Sequence, residues 1–248
     1  MKPIYAAAIQ RAAQELVAPL RLTNAGESEA TVEFFDNYAT GTKLKIRRAA
    51  DQPWQVWDFS TITLQEGEFV EICGENSECT NMLGKFELTG TIEASGSIMS
   101  MIYGESTNAR NQLKLTFNAF GYYDDDSGDG DGIFYDCTGL TAAPELPATS
   151  LAAYCYSYMF SGCTGLTAAP ELPATSLAAY CYSYMFSGCT GLEDITVGFT
   201  TWDDNNDSTA NWLNGVAAAG TFTCPAGLDT TTRDASHVPE NWTVQTAV

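Results

Sequence analysis

The chain has few basic residues, and they are unevenly distributed. Lysine and arginine together number 11 among 248 residues, against 31 aspartates and glutamates, so the formal net charge is -20. After Lys114 the only basic residue is Arg233, while sixteen acidic residues follow, which gives this half a net charge of -15. Such a charge repels phosphate backbones, and nucleic-acid binding is therefore disfavoured. The acidity is consistent with solubility alone or with attraction of cations and basic partners.

Long hydrophobic runs are also missing. No stretch approaches the roughly 20 consecutive apolar residues that a membrane-spanning helix needs, so we expect no membrane insertion. Near the N-terminus, Gln10 and Arg11 interrupt the apolar run before a signal peptide could form. We therefore expect the protein to stay where it is made unless it leaves within a larger particle.

Sequence patterns of catalysis and of zinc binding are absent. The chain has one histidine, His237, and no GxSxG, HExxH or glycine-rich phosphate loop. Its eight cysteines include no CxxC pair. His237 lies close to Pro239, which favours a surface turn residue over a general base. We predict that the protein is not an enzyme, although its many carboxylates leave a glycosidase-like acid pair open.

What the sequence does contain is an internal repeat. Residues 137–162 read CTGLTAAPELPATSLAAYCYSYMFSG, residues 163–188 repeat the same letters, and CTGL begins a third copy at Cys189. A period of this length is typical of a leucine-rich-repeat solenoid, with a short strand and a helical return in each turn. Pro144 and Pro147 favour an extended first half, and LAAYCYSYMFSGC predicts a short helix that ends near Gly162.

Stacked copies would place matched residues in rows about 4.8 Å apart. The predicted rows are Leu140, Leu166 and Leu192; Leu146 and Leu172; Cys155 and Cys181; and Phe134, Phe160 and Phe186. Five of the eight cysteines are at repeat-equivalent positions, which favours buried, reduced thiols. Cys73 and Cys79 flank a hairpin-like loop and could be bridged in an oxidising medium, although free thiols are favoured in a cytoplasmically made protein.

The regions around the repeat predict an α+β protein. Residues 1–18 predict a short amphipathic helix, and residues 19–123 alternate like the strands of a β-sandwich-like domain. An acidic Gly/Asp loop at 124–136 precedes the solenoid, which is predicted at 137–195. Because a short solenoid cannot bury its own ends, the N-terminal region and a C-terminal cap at 196–248 are expected to cover them.

The acidic loop is the sharpest candidate for a metal site. Asp, Ser and Gly residues there fall at positions one, three, five, six, seven and twelve of an EF-hand-like calcium loop: Asp125, Ser127, Asp129, Gly130, Asp131 and Asp136. Position eight is Gly132 and position twelve is Asp instead of Glu, so a flexible acidic insertion without Ca²⁺ is the alternative interpretation. WDDNNDS, at 202–208, is a weaker metal candidate and a better match to a solvated turn.

Each copy of the repeat also carries three tyrosines. They are Tyr154, Tyr156 and Tyr158 in the first copy, and Tyr180, Tyr182 and Tyr184 in the second. Aromatic side chains among few charges suit contact with carbohydrate or protein, so these six tyrosines form the predicted binding surface. The alternative is that about half of them fill the interior of the repeat.

The segment MFSGCTGLTAAPELPATSLAAYCYSYMFSGCTGL resembles the BspA-type leucine-rich repeats of gut Bacteroidetes and of the bacteriophages that infect them. The match spans 137–192, and flanking segments extend the resemblance over roughly 85–244. This resemblance implies surface recognition, as an adhesin on bacteria or as a fibre or receptor-binding component on phages.

We therefore expect a non-catalytic attachment protein in the virion of a Bacteroidetes-type phage, made in the host cytoplasm. Its expected partners are a host cell-surface protein or glycan and other virion proteins, and a homo-oligomer remains open. A bacterial cell-surface adhesin whose leader is absent is one alternative. A purely architectural decoration or spacer protein of the particle is another.

Overall fold

The computed structural model describes residues 18–36, 41–104, 115, 117–123 and 130–247. Within this part of the chain there is one short α-helix, α1 (Ser100–Tyr103), and one 3-10 helix, Asp204–Asn206. The strands are β1 (Leu20–Asn24), β2 (Ala30–Phe35), β3 (Leu44–Arg47), β4 (Gln55–Val56), β5 (Ile62–Leu64), β6 (Phe69–Gly74), β7 (Lys85–Thr89), β8 (Ile92–Ser95), β9 (Gly121–Tyr123), β10 (Gly130–Gly132), β11 (Leu140–Ala142), β12 (Asp194–Thr196), β13 (Thr221–Cys224) and β14 (Thr243–Thr246). Residues 1–17 of the predicted N-terminal helix lie outside the described residues.

Two sheets contain all the strands from β1 to β8. One sheet has the order β11-β8-β1-β6-β3-β4 and the other has the order β5-β2-β7. β1 and β2 bury every second residue, because successive side chains of a strand point to opposite faces of the sheet. Leu22 pairs with Val70 in the first sheet and Phe34 pairs with Phe86 in the second, and all four belong to one hydrophobic core.

An ion cluster centred on a buried glutamate joins three neighbouring strands of the first sheet. Glu71 on β6 is 3% exposed and accepts hydrogen bonds from the guanidinium groups of Arg21 on β1 and Arg47 on β3. Burial raises the pKa of the Glu71 carboxyl, but the hydrogen bonds and positive charges of the two arginines outweigh it and hold the pKa below its usual value. Arg21 also lies 4.1 Å from the Phe69 ring centre, and Arg47 lies 4.4 Å from that of Trp54.

The first copy of the repeat shares a sheet with the strands that precede it. β11 pairs in parallel with β8, with Leu140 opposite Ile92, and the Ile92 N–H donates to the Gly139 carbonyl at 2.9 Å. An isolated parallel bridge continues this contact between Ser97 and Glu145. The buried side chains of the first sheet and of the repeat therefore form one continuous core.

The predicted α+β fold class with a leucine-rich-repeat solenoid is wrong. The described residues form several small sheets and consecutive turns, and the only α-helix among them spans four residues, so the fold is β-rich and no solenoid is found. The helix expected from LAAYCYSYMFSGC is absent because every fourth residue is in the left-handed region: φ is 60° at Tyr154, 55° at Tyr158 and 77° at Gly162. A right-handed helix cannot pass through such residues.

Each of these turn segments is hydrogen-bonded to the next one along the chain. In the first copy, the Tyr156 N–H donates to the Cys181 carbonyl at 3.1 Å and the Phe160 N–H donates to the Met185 carbonyl at 2.9 Å. The intervening N–H groups close turns within the segment, as from Ser157 to the Tyr154 carbonyl. The backbone thus satisfies its polar groups alternately within one segment and between segments. We call the segments 154–162, 180–188 and 207–215 the turn layers.

The third turn layer could not be recognised from its letters. Residues 207–215 read DSTANWLNG, yet the Tyr180 N–H donates to the Asn206 carbonyl at 3.0 Å and the Phe186 N–H donates to the Trp212 carbonyl at 2.9 Å. Asp207, Asn211 and Gly215 have φ values of 48°, 50° and 71°, and so repeat the left-handed positions of the second layer. Only the backbone pattern identifies this layer. Its left-handed residues follow those of the second layer by 27 positions, whereas the second layer follows the first by 26.

Matched side chains form rows through the turn layers. Phe134, Phe160 and Phe186 stack with ring centres 5.6 Å apart, which confirms the predicted phenylalanine row, and Phe86 of β7 extends it at 5.2 Å. A second row joins Phe120, Tyr156, Tyr182 and Trp212 at 5.9, 6.1 and 6.2 Å. Beyond the repeat, β12, β13 and β14 pair in parallel. The interior therefore continues on both sides of the two identical copies.

Candidate functional site

The six tyrosines of the predicted binding surface divide into two classes. Tyr156 and Tyr182 are each 1% exposed and belong to the interior row, so their prediction as surface contacts is wrong. The other four tyrosines lie on either side of the buried ones and have left-handed backbones. They are half-buried at the surface. Tyr154 stacks on Tyr180 at 4.8 Å, with 3° between the ring planes. The candidate surface is thus reduced to two stacked pairs.

The second pair, Tyr158 and Tyr184, stacks at 4.7 Å and is held at both ends. The Asn211 side-chain amide donates to the Tyr184 hydroxyl at 3.0 Å. At the other end, a Cβ added to Gly130 would lie 2.1 Å from the Tyr158 ring, so only glycine fits there. Tyr135 also contacts Tyr158, with ring centres 6.2 Å apart. This pair is therefore flanked by neighbouring residues of the fold, and neither ring lines the cleft.

The first pair, in contrast, borders an open cleft. Tyr154 is one of its lining residues, and the cleft has a volume of about 600 Å³. One wall is the loop after β6, and the other comes from the segment before β9 and the start of the first turn layer. The lining residues are Ser77, Glu78, Cys79, Thr80, Phe117, Asn118, Ala152, Ala153 and Tyr154.

Buried hydrogen bonds fix the loop that forms the first wall. Asn76 is 2% exposed, and its side-chain amide donates to the carbonyls of Lys43 at 3.0 Å and Met101 at 2.7 Å. Its side-chain oxygen accepts the Lys43 N–H at 2.8 Å, and the Cys79 N–H donates to its backbone carbonyl at 3.1 Å. The two walls are linked where the Asn118 amide donates to the Asn81 side-chain oxygen at 3.0 Å. The cleft is therefore built on supported backbone.

The cleft lining combines polar and apolar residues and carries little charge. Of the described residues that line it, Glu78 is the only charged one, and none is a lysine, arginine or histidine. Burial raises the pKa of the Cys79 thiol, an effect that the nearby Lys43 opposes only in part, so the thiol form predominates at neutral pH. A single exposed carboxylate provides no acid–base pair. The arrangement suits hydrogen bonding and packing against a ligand.

The structure describes part of the predicted calcium loop. Asp125, Ser127 and Asp129 lie outside the described residues. Asp131 forms an ion pair with Lys85 at 3.4 Å and accepts the Gly132 N–H at 2.9 Å. Asp136 has a φ of 57° and donates its own N–H to the Ser161 carbonyl at 2.8 Å. Within the described segments, no group of three or more His, Cys, Asp or Glu side chains is placed to hold a metal ion.

His237 has a positional role that its sequence context did not indicate. Its Nδ1 lies 2.9 Å from Asp234 and its Nε2 lies 3.2 Å from Asp204, so the ring joins the 3-10 helix to the segment before β14. The Trp202 ring packs edge-on against it at 4.9 Å. The WDDNNDS segment, predicted as a solvated turn, contains the 3-10 helix Asp204–Asn206 followed by a turn, and within it the Asn206 amide donates to Asp203 at 2.9 Å.

All eight cysteines are free, including Cys73 and Cys79. The five at repeat-equivalent positions are buried, which confirms the predicted burial of this set. The Cys163 thiol donates to the Phe134 carbonyl and the Cys189 thiol donates to the Phe160 carbonyl, both at 3.0 Å. Each thiol therefore bonds to the segment that precedes it by about one repeat. Burial raises the pKa of Cys189 to about 12.

Sequence reasoning did not identify the cleft. Its lining residues come from three separate stretches of the chain, 77–80, 117–118 and 152–154, and Ser77, Thr80 and Asn118 belong to no recognisable motif. The segment between Cys73 and Cys79 was recognised only as a hairpin-like loop. No helix of the described residues is long and apolar enough to span a bilayer. Comparison with known proteins finds no matching family model, no matching curated protein and no matching solved structure.

Proposed function

We propose that this protein is a non-catalytic attachment or receptor-binding component of a bacteriophage particle that contacts a host cell-surface protein or glycan. The observation that carries the proposal is the stacked pair Tyr154 and Tyr180 beside an open, weakly charged cleft. Tyrosines offer a large contact area at a low cost in conformational entropy, and stacking lowers that cost further.

The chemistry of the cleft favours recognition over catalysis. Its single carboxylate has no partner acid or base among the lining residues. His237, the only histidine, is held by Asp204 and Asp234 and is not part of the cleft. Recognition needs only a preorganised surface with convergent polar groups, and the anchored loop at 77–80 provides these.

Assignment to a phage particle rests on the resemblance of 137–192 to BspA-type repeats. Two identical copies also favour recent duplication, since independent point mutations would have made them differ. Change of copy number suits a recognition protein that follows a changing target. A surface adhesin and an architectural spacer are the other outcomes that the experiment must distinguish.

The test has two parts. Immunogold labelling of purified particles would locate the protein, and fluorescently labelled protein would be titrated onto host cells and used to compete with infection. Attachment requires particle labelling, saturable cell binding and reduced infection. Labelled particles without cell binding would assign a spacer role, and cell-surface labelling of uninfected bacteria would assign an adhesin; either result contradicts the proposal.

A further inference from the structure

The cleft beside Tyr154 has the features of a small-ligand site. Its volume of about 600 Å³ falls within the range of roughly 300–1,000 Å³ that is typical of ligand pockets. Its lining includes the aromatic residues Tyr154 and Phe117 and the polar residues Ser77, Glu78 and Thr80. A ligand that fills the cleft must combine an apolar surface with several hydrogen-bonding groups.

We infer that this cleft binds a neutral oligosaccharide, an assignment that rests on the proposed function and names its ligand class. A sugar ring has C–H groups that pack against aromatic side chains and hydroxyls that both donate and accept hydrogen bonds. Glu78 accepts such bonds, while the hydroxyls of Ser77 and Thr80 and the amide of Asn118 do both. Ser77, Glu78 and Thr80 are exposed to solvent.

Electrostatics favours an uncharged glycan. Among the described residues, no basic side chain lines the cleft, and Glu78 adds a negative charge. The whole chain carries a net charge of -20, most of it after Lys114. A sialylated, sulfated or phosphorylated glycan would therefore meet repulsion from Glu78 and from the net charge of the chain, and Lys43, the cation near Cys79, is not a lining residue.

The lining also disfavours a peptide ligand. Extended peptides bind by adding a strand to a sheet edge, but none of the nine lining residues lies in a strand. An amphipathic helix needs a continuous apolar groove, whereas polar residues form one whole wall of this cleft. A saccharide needs neither feature.

The repeat provides a matched control for the test. Tyr154 and Tyr180 have the same neighbours in sequence, similar φ values of 60° and 54°, and a shared ring stack, but only Tyr154 lines the cleft. Asparagine tolerates this backbone conformation, as Asn211 does at φ 50° in the third layer. Tyr154→Asn and Tyr180→Asn therefore impose the same change at a residue that lines the cleft and at the residue stacked against it.

The experiment would apply the full chain to an array of neutral oligosaccharides built from glucose, galactose, mannose or N-acetylglucosamine, together with sialylated and sulfated versions. Calorimetry would then measure affinity for the strongest neutral binder. We expect Tyr154→Asn to weaken binding by at least about tenfold, as loss of a central aromatic contact does. Tyr180→Asn removes the ring that stacks on Tyr154 but no lining residue of the cleft, so it should weaken binding less than Tyr154→Asn does.

A second pair of variants controls for loss of binding through misfolding. Glu78→Gln changes one exposed oxygen acceptor of the cleft, and Glu66→Gln makes the same change at an exposed position outside it. Only Glu78→Gln should reduce the affinity. The inference is overturned if no neutral glycan binds, if acidic glycans bind equally well, or if Tyr154→Asn and Glu78→Gln bind as wild type does.

Failure of this inference can be told apart from failure of the proposed function. If wild type and both cleft variants bind host cells equally, the protein is an attachment protein that does not use the cleft. If cell binding is lost after protease treatment of the cells and no neutral glycan is recognised, the target is a protein. If wild type binds no cells, the proposed function itself is wrong.

Discussion

The rings of Tyr154 and Tyr180 stack 4.8 Å apart and 3° from parallel, although 26 positions separate them in the chain. Both residues are in the left-handed region, and each donates its N–H one layer onward, Tyr154 to Ala179 and Tyr180 to Asn206. Because the two copies have the same residues in the same backbone conformation, matched side chains lie one layer apart. Each turn layer of the repeat thus offers its neighbours the same surface.

Removal of one whole copy should preserve the fold. Deletion of residues 163–188 joins Gly162 to Cys189 and recreates the native junction letters, and the third turn layer would meet a surface identical to the one it has lost. We expect cooperative urea unfolding and an intact near-ultraviolet circular dichroism spectrum, with lower stability because less apolar surface is buried.

Deletion of half a copy, residues 163–175, is the matched control, since it breaks the register of every row. That variant should lose its near-ultraviolet signal. If the whole-copy deletion loses its signal as well, the layers are not equivalent and this account of the repeat is wrong.

Gly162 and Gly188 occupy the same position in the two copies, with φ values of 77° and 78°, but they differ in surroundings. An added Cβ at Gly188 would meet nothing nearer than 3.6 Å, whereas at Gly162 it would lie 2.0 Å from the Asp136 carboxylate. Gly188→Ala should lower the free energy of unfolding by about 1–2 kcal/mol, the cost of holding alanine in the left-handed region. Gly162→Ala should cost more, as measured by urea unfolding.

The additional destabilisation of Gly162→Ala over Gly188→Ala should disappear in an Asp136→Gly background. That change removes the colliding side chain and keeps a residue suited to φ 57°. Equal costs for the two alanine variants in the wild-type background would contradict the prediction.

Glu71 should make the protein sensitive to acid. Its folded pKa lies below the unfolded value, so the stabilisation is present at neutral pH and is lost as the pH falls below the ordinary carboxyl pKa of about 4.3 and through the folded value. Glu71→Gln should destabilise the fold by about 1–3 kcal/mol at pH 7, because it weakens the hydrogen bonds of two arginines. Urea unfolding between pH 3 and pH 7 measures both effects.

The difference between Glu71→Gln and wild type should narrow at the acidic end of that range. Glu75→Gln is the control, because Glu75 pairs with Lys45 at the surface, and its melting temperature should stay near that of wild type. A constant difference at every pH would show that the Glu71 charge does not stabilise the fold.

The cysteines should differ sharply in reactivity. Cys79 alone is half-buried, and the other seven are buried. Burial raises the pKa of Cys137 and Cys181 to about 12, so almost no thiolate forms at pH 8. Iodoacetamide at pH 8 should label native protein slowly and only at Cys79, as measured by mass spectrometry.

In urea all eight cysteines should react, which controls for the reagent. Rapid native labelling of Cys163 or Cys189 would mean that the turn layers open readily, and it would contradict their burial.

The sequence predicted the row of Phe134, Phe160 and Phe186 because a perfect repeat implies matched positions, and the structure confirms it. The sequence wrongly predicted a helix for LAAYCYSYMFSG, because the residues of this segment are compatible with one. The left-handed conformation of Tyr154 and Tyr158 is held by hydrogen bonds to Ala179 and Ser183 in the next copy. These partners lie about 25 residues away, beyond the reach of local propensity.

By itself, the sequence determined the charge of the chain, the existence of a repeat and the alignment of its copies, because these are properties of composition and order. Only the tertiary structure decided which tyrosines are buried, that DSTANWLNG forms a third layer, and that the loop at 77–80 meets Tyr154 across a cleft. Those features depend on backbone hydrogen bonds and contacts between residues remote in the chain, and such contacts exist only once the layers have packed.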